Sequence, residues 1–204
     1  MSDPRVSVVI VNWNHRHLLE ACLAALHAQR YPHVDLTIVD NASQDGSPDW
    51  IADHHPAVRL WAFPENRGFC EAFNWGVHHT EGEFVLSLNP DVTAEPHFVS
   101  ELVLAAGQDA RIGMVAPKLL RADDPSILDS TGLFVDRRRR PYDRGQGEVD
   151  RGQYDAPAVG VGPYVFGGCG AAVLYRRAML ADLTLGGEYF DHDFFAYCED
   201  ADLA

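Results

Sequence analysis

The sequence has few of the features that mark membrane, zinc-binding or nucleic-acid-binding proteins. No apolar run approaches the ~18 residues that span a bilayer. Its four cysteines never occur at C-x-x-C spacing, which disfavours a zinc ribbon or a redox motif. Basic residues are scarce, with 16 Lys and Arg against 30 Asp and Glu and a formal net charge of −14. We therefore expect no nucleic acid partner, because nonspecific binding of nucleic acids depends on a basic face.

Two common phosphate-binding signatures are also missing. No G-x-G-x-x-G follows the first predicted strand and no G-x-x-x-x-G-K-[ST] occurs, which disfavours a nicotinamide dinucleotide fold and a P-loop. The first residues lead straight into a strand without a leader pattern, so we expect a cytoplasmic protein. With 47% apolar and 23% charged residues over 204 positions, we expect a single globular domain.

Apolar periodicity predicts alternating strands and helices. Apolar runs predict strands at 6–11, 36–39, 58–63, 84–88 and 112–116, and helical spacing or cap residues predict helices at 18–26, from 47, around 69–77 and at 96–106. This order predicts an α/β fold with a mostly parallel sheet and helices on both faces. The stretch 137–157, which includes a run of four arginines, lacks an apolar period and is predicted to be a long exposed loop.

Polar clusters follow three of the predicted strands, where ligands of parallel sheets bind. They are Asn12-Trp13-Asn14, Asp40-Asn41 and Asn89-Pro90-Asp91. Asp40 is either a cap for the following turn or an acceptor for a base imide or a ribose hydroxyl. The third cluster is either a turn or a site for a divalent cation that bridges diphosphate oxygens.

A fourth polar cluster, Glu199-Asp200-x-Asp202, follows the aromatic run FFAYC. One interpretation is an acidic helix N-terminus, which the helix dipole favours. The other is a carboxylate in a partly apolar pocket, where desolvation raises a pKa toward that of a useful general base.

In their order along the chain, these motifs resemble the family 2 glycosyltransferases with the GT-A fold, and most closely the bacterial rhamnosyltransferase-like branch. The resemblance runs over VSVVIVNWN at 6–14, IVDNASQDGS at 38–47, ENRGFCEAFNWG at 65–76, LSLNPDV at 86–92, FGGCGAAVLYRR at 166–177 and FDHDFFAYCEDADL at 190–203. It covers nearly the whole chain and implies one GT-A catalytic domain, 1–204. The implied nucleotide-binding part is 1–92, and the acceptor-side part is 93–204.

The resemblance also implies a role for each matching residue. The donor base and ribose would be held by Val11, Asn12, Asn14 and Asp40, and the rest of the donor would lie beside Asn66, Arg67 and Gly68, with Asn74 on the same helix. Asn89 and Asp91 stand where the family carries its D-x-D metal motif for Mg²⁺ or Mn²⁺, with Asp91 the firmer ligand. Gly167 and Gly168 would let backbone approach the sugar or acceptor, and Asp200 would be the general base with Glu199 beside it.

The chain differs from the family pattern in two ways, and each difference leads to an expectation. Members usually continue beyond the Glu-Asp motif, so the resemblance implies a C-terminal part truncated after Ala204. A helix of a few residues does not hold itself together in water, so we expect Asp200 to be poorly fixed and predict nucleoside diphosphate binding with poor turnover. The family often has a later histidine that completes the metal shell, and His192 is interpreted instead as a solvated or packed side chain.

The implied function is inverting transfer of a sugar to a hydroxyl acceptor. The resemblance implies a dTDP-rhamnose or UDP-hexose donor and a saccharide or lipid-linked saccharide acceptor in cell-surface polysaccharide synthesis. It is compatible with peripheral association with the inner face of the membrane. Two alternatives stay open: a nucleotide-sugar binding module without turnover, and a nucleotidyltransferase. The second is disfavoured because the Gly-rich pyrophosphate-binding loop is not visible near the N-terminus.

Overall fold

One six-stranded sheet organises the fold, and two small two-stranded sheets accompany it. The structure is a computed structural model that describes residues 3–155 and 164–204. Its strands are β1 (Val6–Asn12), β2 (Val34–Asp40), β3 (Arg59–Ala62), β4 (Phe84–Leu88), β5 (Met114–Val115), β6 (Leu119–Leu120), β7 (Leu128–Ser130), β8 (Leu133–Val135), β9 (Pro141–Asp143) and β10 (Ala172–Arg176). Its helices are α1 (Arg16–His27), α2 (Ser47–His54), α3 (Gly68–His78), α4 (Phe98–Ala106), α5 (Arg177–Leu183) and α6 (Glu199–Leu203), with a short 3₁₀ turn at His192–Phe194.

The large sheet is mostly parallel, as predicted. Its strand order is β3-β2-β1-β4-β10-β5, and the first four strands run parallel to one another. β10 is antiparallel to β4, and β5 is antiparallel to β10, so five of the six strands point the same way. The carboxyl ends of β2, β1 and β4 therefore lie side by side at one edge, which is where ligands of such sheets bind.

Helices cover both faces of the sheet because successive side chains of a strand point to opposite faces. Val8 and Ile10 of β1 pack into a core cluster with α1, α2 and α4, whereas Val9 packs into a second cluster with α3 and α5. Phe73 of α3 is fully buried in the second cluster. Burial of such a side chain contributes roughly 1.5–3 kcal/mol to the free energy of unfolding.

Two predictions for the second half of the chain are wrong in part. The strand predicted at 112–116 is reduced to Met114–Val115, and its neighbour is the antiparallel β10. The predicted exposed loop at 137–157 contains β9, which pairs with β8, and Val149, which forms a bridge with Ile127. Strands of two or three residues are too short to show an apolar period, which is why the sequence did not reveal them. Positions 156 and 157, at the end of that predicted loop, lie outside the described residues.

The described helices are short. Within residues 3–155 and 164–204, no helix has both the length and the apolar character needed to cross a membrane.

Candidate active site

A buried hydrogen-bond network joins the ends of β1 and β2. The Asn12 side-chain amide donates to Asp40 Oδ2 at 2.7 Å and to Ser43 Oγ at 3.1 Å. Asp40 Oδ1 accepts from the Ser43 backbone amide at 2.8 Å. Asn12 and Asp40 have no exposed surface. Asp40 is therefore a cap for the turn that follows β2, and its predicted contact with the donor stays a prediction.

The same network fixes the loop after β1. The Asn14 backbone amide donates to Ser43 Oγ at 2.8 Å, and Asn14 Oδ1 accepts from the Gln44 amide at 2.7 Å. Asn14 has φ of 58°, a left-handed conformation that asparagine tolerates better than most residues. Val11 is half-buried beneath the loop, and Trp13 is 51% exposed at its surface. We name the hydrogen-bonded network of Asn12, Asp40 and Ser43 the polar floor, and the exposed Trp13 directly follows Asn12 in the chain.

The side chain of Asn41 links this floor to the start of α3. Its Oδ1 accepts from the Arg67 amide at 2.8 Å, and its Nδ2 donates to the Gly68 carbonyl at 2.9 Å. Asn66 Oδ1 accepts from the Gly68 amide at 2.9 Å. The predicted donor-side residues Asn66, Arg67 and Gly68 are therefore tied to the end of β2.

Gly68 is needed for two physical reasons. Its φ is +83°, which L side chains rarely adopt, and a Cβ there would lie 2.6 Å from the carbonyl oxygen of Phe195. The Cys70 amide donates to that same carbonyl at 3.2 Å. The aromatic segment before the Glu-Asp motif thus packs against the first turn of α3.

Asn89 and Asp91 lie just beyond the end of β4, next to β1. Asn89 is half-buried and donates its backbone amide to the Ala171 carbonyl at 2.9 Å, whereas Asp91 is exposed. Burial, together with the negative charge of Asp91, raises the pKa of Cys22 to about 12. Within residues 3–155 and 164–204, the Asp91 carboxylate makes no hydrogen bond or ion pair, so it is free to bind a cation.

The chemistry of this donor set fits Mg²⁺ or Mn²⁺ in the presence of a diphosphate. A hard cation of this kind is usually held by one or two carboxylates together with substrate phosphates and waters. Asp91 offers a carboxylate, and Asn89 offers an amide oxygen two residues earlier. With a single carboxylate, the pair is too weak a donor set to hold the ion tightly without nucleotide.

A second acidic group surrounds His192. Glu188, Asp191 and His192 each have one atom that could bind a metal ion, and these three atoms lie within 4.8 Å of one another. His192 Nδ1 is 2.8 Å from Glu188 Oε1, and its side chain is 57% exposed. The hydrogen bond to Glu188 raises the pKa of His192. This geometry agrees with the solvated histidine expected from the sequence.

Asp200 lies in the first turn of α6 and contacts the glycine-rich turn before β10. Its Oδ2 accepts from the Gly170 backbone amide at 2.8 Å, and its Oδ1 accepts from the Ala201 amide at 2.8 Å. The expectation that Asp200 is poorly fixed is therefore wrong for this structure. A tertiary contact, not helix length, holds the carboxylate in one orientation.

Glu199 has a different environment from its neighbour. It is 7% exposed, and within the described ranges, 3–155 and 164–204, its Oε2 has no hydrogen-bond partner. Burial, with a further contribution from the Asp200 charge, raises the pKa of Glu199. Two adjacent carboxyl groups thus differ in exposure and in hydrogen bonding.

Gly167 and Gly168, the predicted acceptor-side glycines, are both packed by the protein itself. A Cβ on Gly167 would lie 2.6 Å from the Cβ of Ala204, and one on Gly168 would clash with Val173 Cγ2. Close packing therefore explains both glycines, and their role toward a sugar or acceptor stays a prediction.

The side chain of Asn74, which the resemblance assigned to the donor side, forms hydrogen bonds with the protein backbone. Its Nδ2 donates to the Phe190 carbonyl at 2.7 Å, and its Oδ1 accepts from the amides of Tyr189 and Phe190 at 3.2 and 2.9 Å. The side chain clamps the segment that leads to α6.

The structure brings most of the predicted site residues to one edge of the sheet. Asp200 joins them through Gly170 and Ala171, which contact Asp200 and Asn89 respectively. Sequence reasoning missed the hydrogen-bonding roles of Asn41 and Ser43, although Asn41 stands in the polar cluster after the second predicted strand and Ser43 in the motif IVDNASQDGS. No sequence pattern indicates the role of Gly170, because this residue contacts Asp200 through its backbone amide.

A mostly parallel α/β sheet with polar loops at the carboxyl ends of its strands defines a class of fold that binds its ligands at that edge. Residues 7–184 match Glycosyl transferase family 2, and the chain belongs to that family. It is 29% identical to the N-acetylglucosaminyl-diphospho-decaprenol L-rhamnosyltransferase of Mycobacterium tuberculosis over 96% of this chain and 68% of that protein. It is also 29% identical to EpsH of Bacillus subtilis (strain 168) over 53% of this chain and 32% of that protein.

A solved structure supports the same fold. The mannosyltransferase PcManGT from Pyrobaculum calidifontis, in complex with GDP-Man and Mn²⁺, superposes with a TM-score of 0.67 at 22% identity. The match covers 100% of this chain and 51% of that chain, so this chain spans about half the length of that relative. The predicted GT-A fold and the resemblance to rhamnosyltransferases are thereby confirmed.

Proposed function

We propose that the protein is an inverting, metal-dependent glycosyltransferase that moves a sugar from a nucleoside-diphosphate donor to a hydroxyl acceptor. The donor is of the dTDP-rhamnose or UDP-hexose type. The acceptor is a saccharide or a lipid-linked saccharide in cell-surface polysaccharide synthesis. Family membership supports the transferase class, and the rhamnosyltransferase relative, whose name describes a lipid-linked acceptor, supports the acceptor class.

One observation carries the proposal. The Ala171 carbonyl accepts from the Asn89 amide at 2.9 Å, and the neighbouring Gly170 amide donates to Asp200 Oδ2 at 2.8 Å. Two consecutive residues of one turn therefore join the side that would bind the diphosphate to the side that would activate the acceptor. Transfer needs both sides in fixed relation, because misplacement of the reacting groups by about 1 Å costs on the order of 10²-fold in rate.

The donor-binding role falls to the loops after β1 and β2 and to the start of α3. Asn12 Oδ1 is buried and, within residues 3–155 and 164–204, has no hydrogen-bond partner. An imide N–H of a pyrimidine base would satisfy such an acceptor after a small movement of the loop, and an unsatisfied buried acceptor is costly. The exposed ring of Trp13 lies beside it in the sequence and can stack on a base or sugar.

Charge compensation is the second requirement, because an anionic donor meets a protein of net charge −14. Asp91 and Asn89 would hold Mg²⁺ or Mn²⁺, which would supply Lewis-acid stabilisation of the departing diphosphate. The Mn²⁺ and GDP-Man in the PcManGT complex support this assignment.

Asp200 is the proposed general base. The acceptor hydroxyl oxygen attacks the anomeric carbon opposite the diphosphate, while Asp200 takes the hydroxyl proton. The new glycosidic C–O bond forms as the C–O bond to the phosphate breaks, and nucleoside diphosphate leaves with the bonding electron pair. A single displacement of this kind inverts the anomeric configuration. The Gly170 amide orients Asp200 for the proton transfer.

The first test is a donor panel. Thermal shift and calorimetry with dTDP, UDP and GDP, each with and without Mn²⁺, should reveal binding to one nucleotide that improves with the metal. At 100 times Kd, a ligand adds about 2.7 kcal/mol to the free energy of unfolding. For a chain of this size that corresponds to a Tm increase of about 5–10 °C. Absence of binding to any nucleoside diphosphate would contradict the proposal.

The second test separates transfer from its alternatives. Acceptor-dependent release of nucleoside diphosphate is expected from a glycosyltransferase. Release of pyrophosphate would indicate a nucleotidyltransferase, and nucleotide binding without release on any acceptor would indicate a binding module.

A further inference from the structure

Positive charge is concentrated on one hairpin of this acidic protein. The twelve residues 133–144, which we name the arginine hairpin, contain five arginines and two aspartates and so have a net charge of +3. The other 192 residues therefore carry −17. β8 and β9 pair antiparallel from Leu133 with Asp143 to Val135 with Pro141. The four consecutive arginines thus lie in the turn at the tip.

The backbone of this turn is fixed by Asp136. Its Oδ1 accepts from the amides of Arg138 at 2.7 Å and Arg140 at 3.0 Å. Arg139 has φ of 61°, a conformation that closes the turn and is uncommon for residues other than glycine. The turn therefore presents its arginine side chains from a defined backbone, and all four residues 137–140 are exposed.

Within the part of the chain that the structure describes, two arginines of this hairpin, Arg140 and Arg144, have side-chain partners. Arg140 pairs with Asp136 at 2.8 Å. Arg144 donates to Thr131, and its guanidinium carbon lies 4.9 Å from the ring centroid of Tyr154. Both side chains thus stabilise the hairpin itself.

Arg137, Arg138 and Arg139 have no such use. Within residues 3–155 and 164–204, their side chains form no hydrogen bond or ion pair. The remaining residues, 1–2 and 156–163, contain no acidic side chain that could pair with them. Three adjacent unpaired arginines in a chain with 30 acidic residues concentrate positive charge at one exposed turn, which favours association with an anionic surface.

The base of the hairpin lies against the candidate catalytic edge. The Leu133 amide donates to the Gly167 carbonyl at 2.8 Å, and the Phe166 amide donates to the Leu133 carbonyl at 2.9 Å. A Cβ on Gly167 would lie 3.7 Å from the backbone carbonyl of Asp200. At about 3.3 Å per strand residue, the tip lies about 15 Å from this base.

We propose that the arginine hairpin binds an anionic phospholipid surface and turns the Asp200 side of the molecule toward it. This orientation rests on the proposed function, because a lipid-linked acceptor would be presented at that surface. Tyr142, which is 50% exposed beside the arginines, suits the same environment, since tyrosine favours the interface between water and lipid.

A lipid surface fits the charge distribution better than a nucleic acid does. An exposed turn with a compact cluster of positive charge can bind a membrane surface without requiring the rest of the molecule, at −17, to bind it. A long nucleic acid that follows a protein surface would meet that negative charge and be repelled.

The test uses the 204-residue chain and co-sedimentation with vesicles of phosphatidylglycerol and phosphatidylcholine, compared with phosphatidylcholine alone. The variant R137Q/R138Q/R139Q removes the unpaired charges at the tip. The control R30Q/R111Q/R151Q removes three charges from exposed arginines elsewhere. Both variants therefore have the same net charge.

We expect the unsubstituted chain to bind only the anionic vesicles, and more weakly at high salt. Each basic residue near such a surface strengthens binding by about fivefold, so the tip variant should bind on the order of 100-fold more weakly. The control should bind nearly as well as the unsubstituted chain. Equal weakening in both variants, or no binding to anionic vesicles by the unsubstituted chain, would overturn the proposal.

Two further measurements separate the outcomes. Binding of a fluorescent DNA duplex that depends on the tip arginines, without vesicle binding, would reassign the hairpin to nucleic acid and overturn the proposal. Nucleoside diphosphate binding by calorimetry should be unchanged in the tip variant. If the unsubstituted chain binds anionic vesicles but no nucleoside diphosphate, that result would contradict the proposed function and leave the hairpin proposal standing.

Discussion

The nucleotide-binding part and the acceptor-side part of the chain are built differently. In residues 3–92, four parallel strands follow one another, and β1 pairs with β2 through seven consecutive residues. In the described residues of 93–204, strands have two to five residues. Residues other than glycine with positive φ are Arg139, Phe195, Tyr197 and Cys198 in this part, against Asn14 and Ala42 in residues 3–92. Such conformations cost about 1–3 kcal/mol each in residues other than glycine.

The difference shows how each half of the site is held. The polar floor at the ends of β1 and β2 consists of side-chain hydrogen bonds among Asn12, Asp40 and Ser43, which the adjoining parallel strands bring together. The Glu-Asp segment depends on a few long-range contacts, notably Asn74 with Phe190 and Gly170 with Asp200. Single substitutions should therefore separate nucleotide binding from transfer.

The largest expected effect is on transfer. Asp200→Asn should lower acceptor-dependent turnover about 10²–10⁴-fold, because it removes the general base. Nucleoside diphosphate affinity should stay unchanged, since the donor floor is on other strands. Acceptor-dependent release of nucleoside diphosphate measures the turnover, and calorimetry measures the nucleotide affinity. The matched control is Asp202→Asn, an exposed residue on the same helix, which should retain turnover.

If Asp200→Asn keeps most of the turnover of the unsubstituted chain, Asp200 is not the base. If instead nucleotide affinity falls in parallel with turnover, the two halves of the site are not independent, and the comparison between them fails.

The next effect belongs to the nucleotide-binding half. Asp91→Asn should weaken Mn²⁺-dependent nucleotide binding about 10–100-fold, the range typical of disturbing the shell of a metal site. Binding without metal, and the Tm of the free protein, should stay nearly unchanged, because the Asp91 side chain is exposed. Glu95→Gln, another exposed residue four positions away, is the control. An unaltered Mn²⁺ dependence in the Asp91 variant would remove Asp91 from the metal site.

Sequence patterns predicted the nucleotide-binding half well because its elements are local. The runs at 6–11 and 84–88 are apolar except for one serine each, Ser7 and Ser87, and the structure places them in β1 and β4 with nearly all side chains buried. The position of the polar clusters then followed from the general geometry of parallel sheets. The capping role of Asp40 was one of two interpretations, and only the contact with Ser43 favours it.

The acceptor-side half was harder to predict because its structure depends on distant partners. β5 pairs with β10, about sixty residues further along the chain, and its two residues carry no periodic signal. Asn74 contacts residues 115 and 116 positions away, so its role as a clamp is invisible to local pattern. The fixed position of Asp200 depends on a backbone amide, which a sequence does not display.

A third prediction compares the two halves by hydrogen exchange. Asn74→Ala leaves buried backbone groups of residues 189–190 unpaired, which costs about 1–3 kcal/mol in the free energy of unfolding. Amide exchange should accelerate in residues 188–204 and stay unchanged in residues 6–40. Ser43→Ala is the mirror variant. Because Ser43 Oγ accepts from the Asn14 amide, this variant should accelerate exchange in the loops after β1 and β2 and leave residues 188–204 unchanged. Uniform acceleration across the chain in both variants would show that the halves unfold together.

The smallest expected effect concerns Glu199 and is a dependence of stability on pH. Burial raises its pKa above the usual value of 4.5, so the unfolded chain releases this proton at lower pH than the folded protein does. The stability associated with the protonated form is therefore present below 4.5 and is lost as the pH rises through the raised pKa of the folded state.

Glu199→Gln removes this charge while keeping the shape of the side chain, so it should stabilise the protein at pH 8 and change little at pH 4. Each kcal/mol gained raises the Tm by about 2–4 °C in a chain of this size, and thermal unfolding at the two pH values measures the difference. Glu20→Gln, an exposed residue on α1, should show no such pH-dependent gain. A Glu199 variant less stable than the unsubstituted chain at pH 8 would mean that the carboxylate is ionised and favourably bound in the folded protein. That outcome would mean that the group beside Asp200 is a stabilised carboxylate and not a desolvated acid. An additional favourable interaction would then hold the Glu-Asp segment, so this segment would depend less on the Asn74 and Gly170 contacts than we infer.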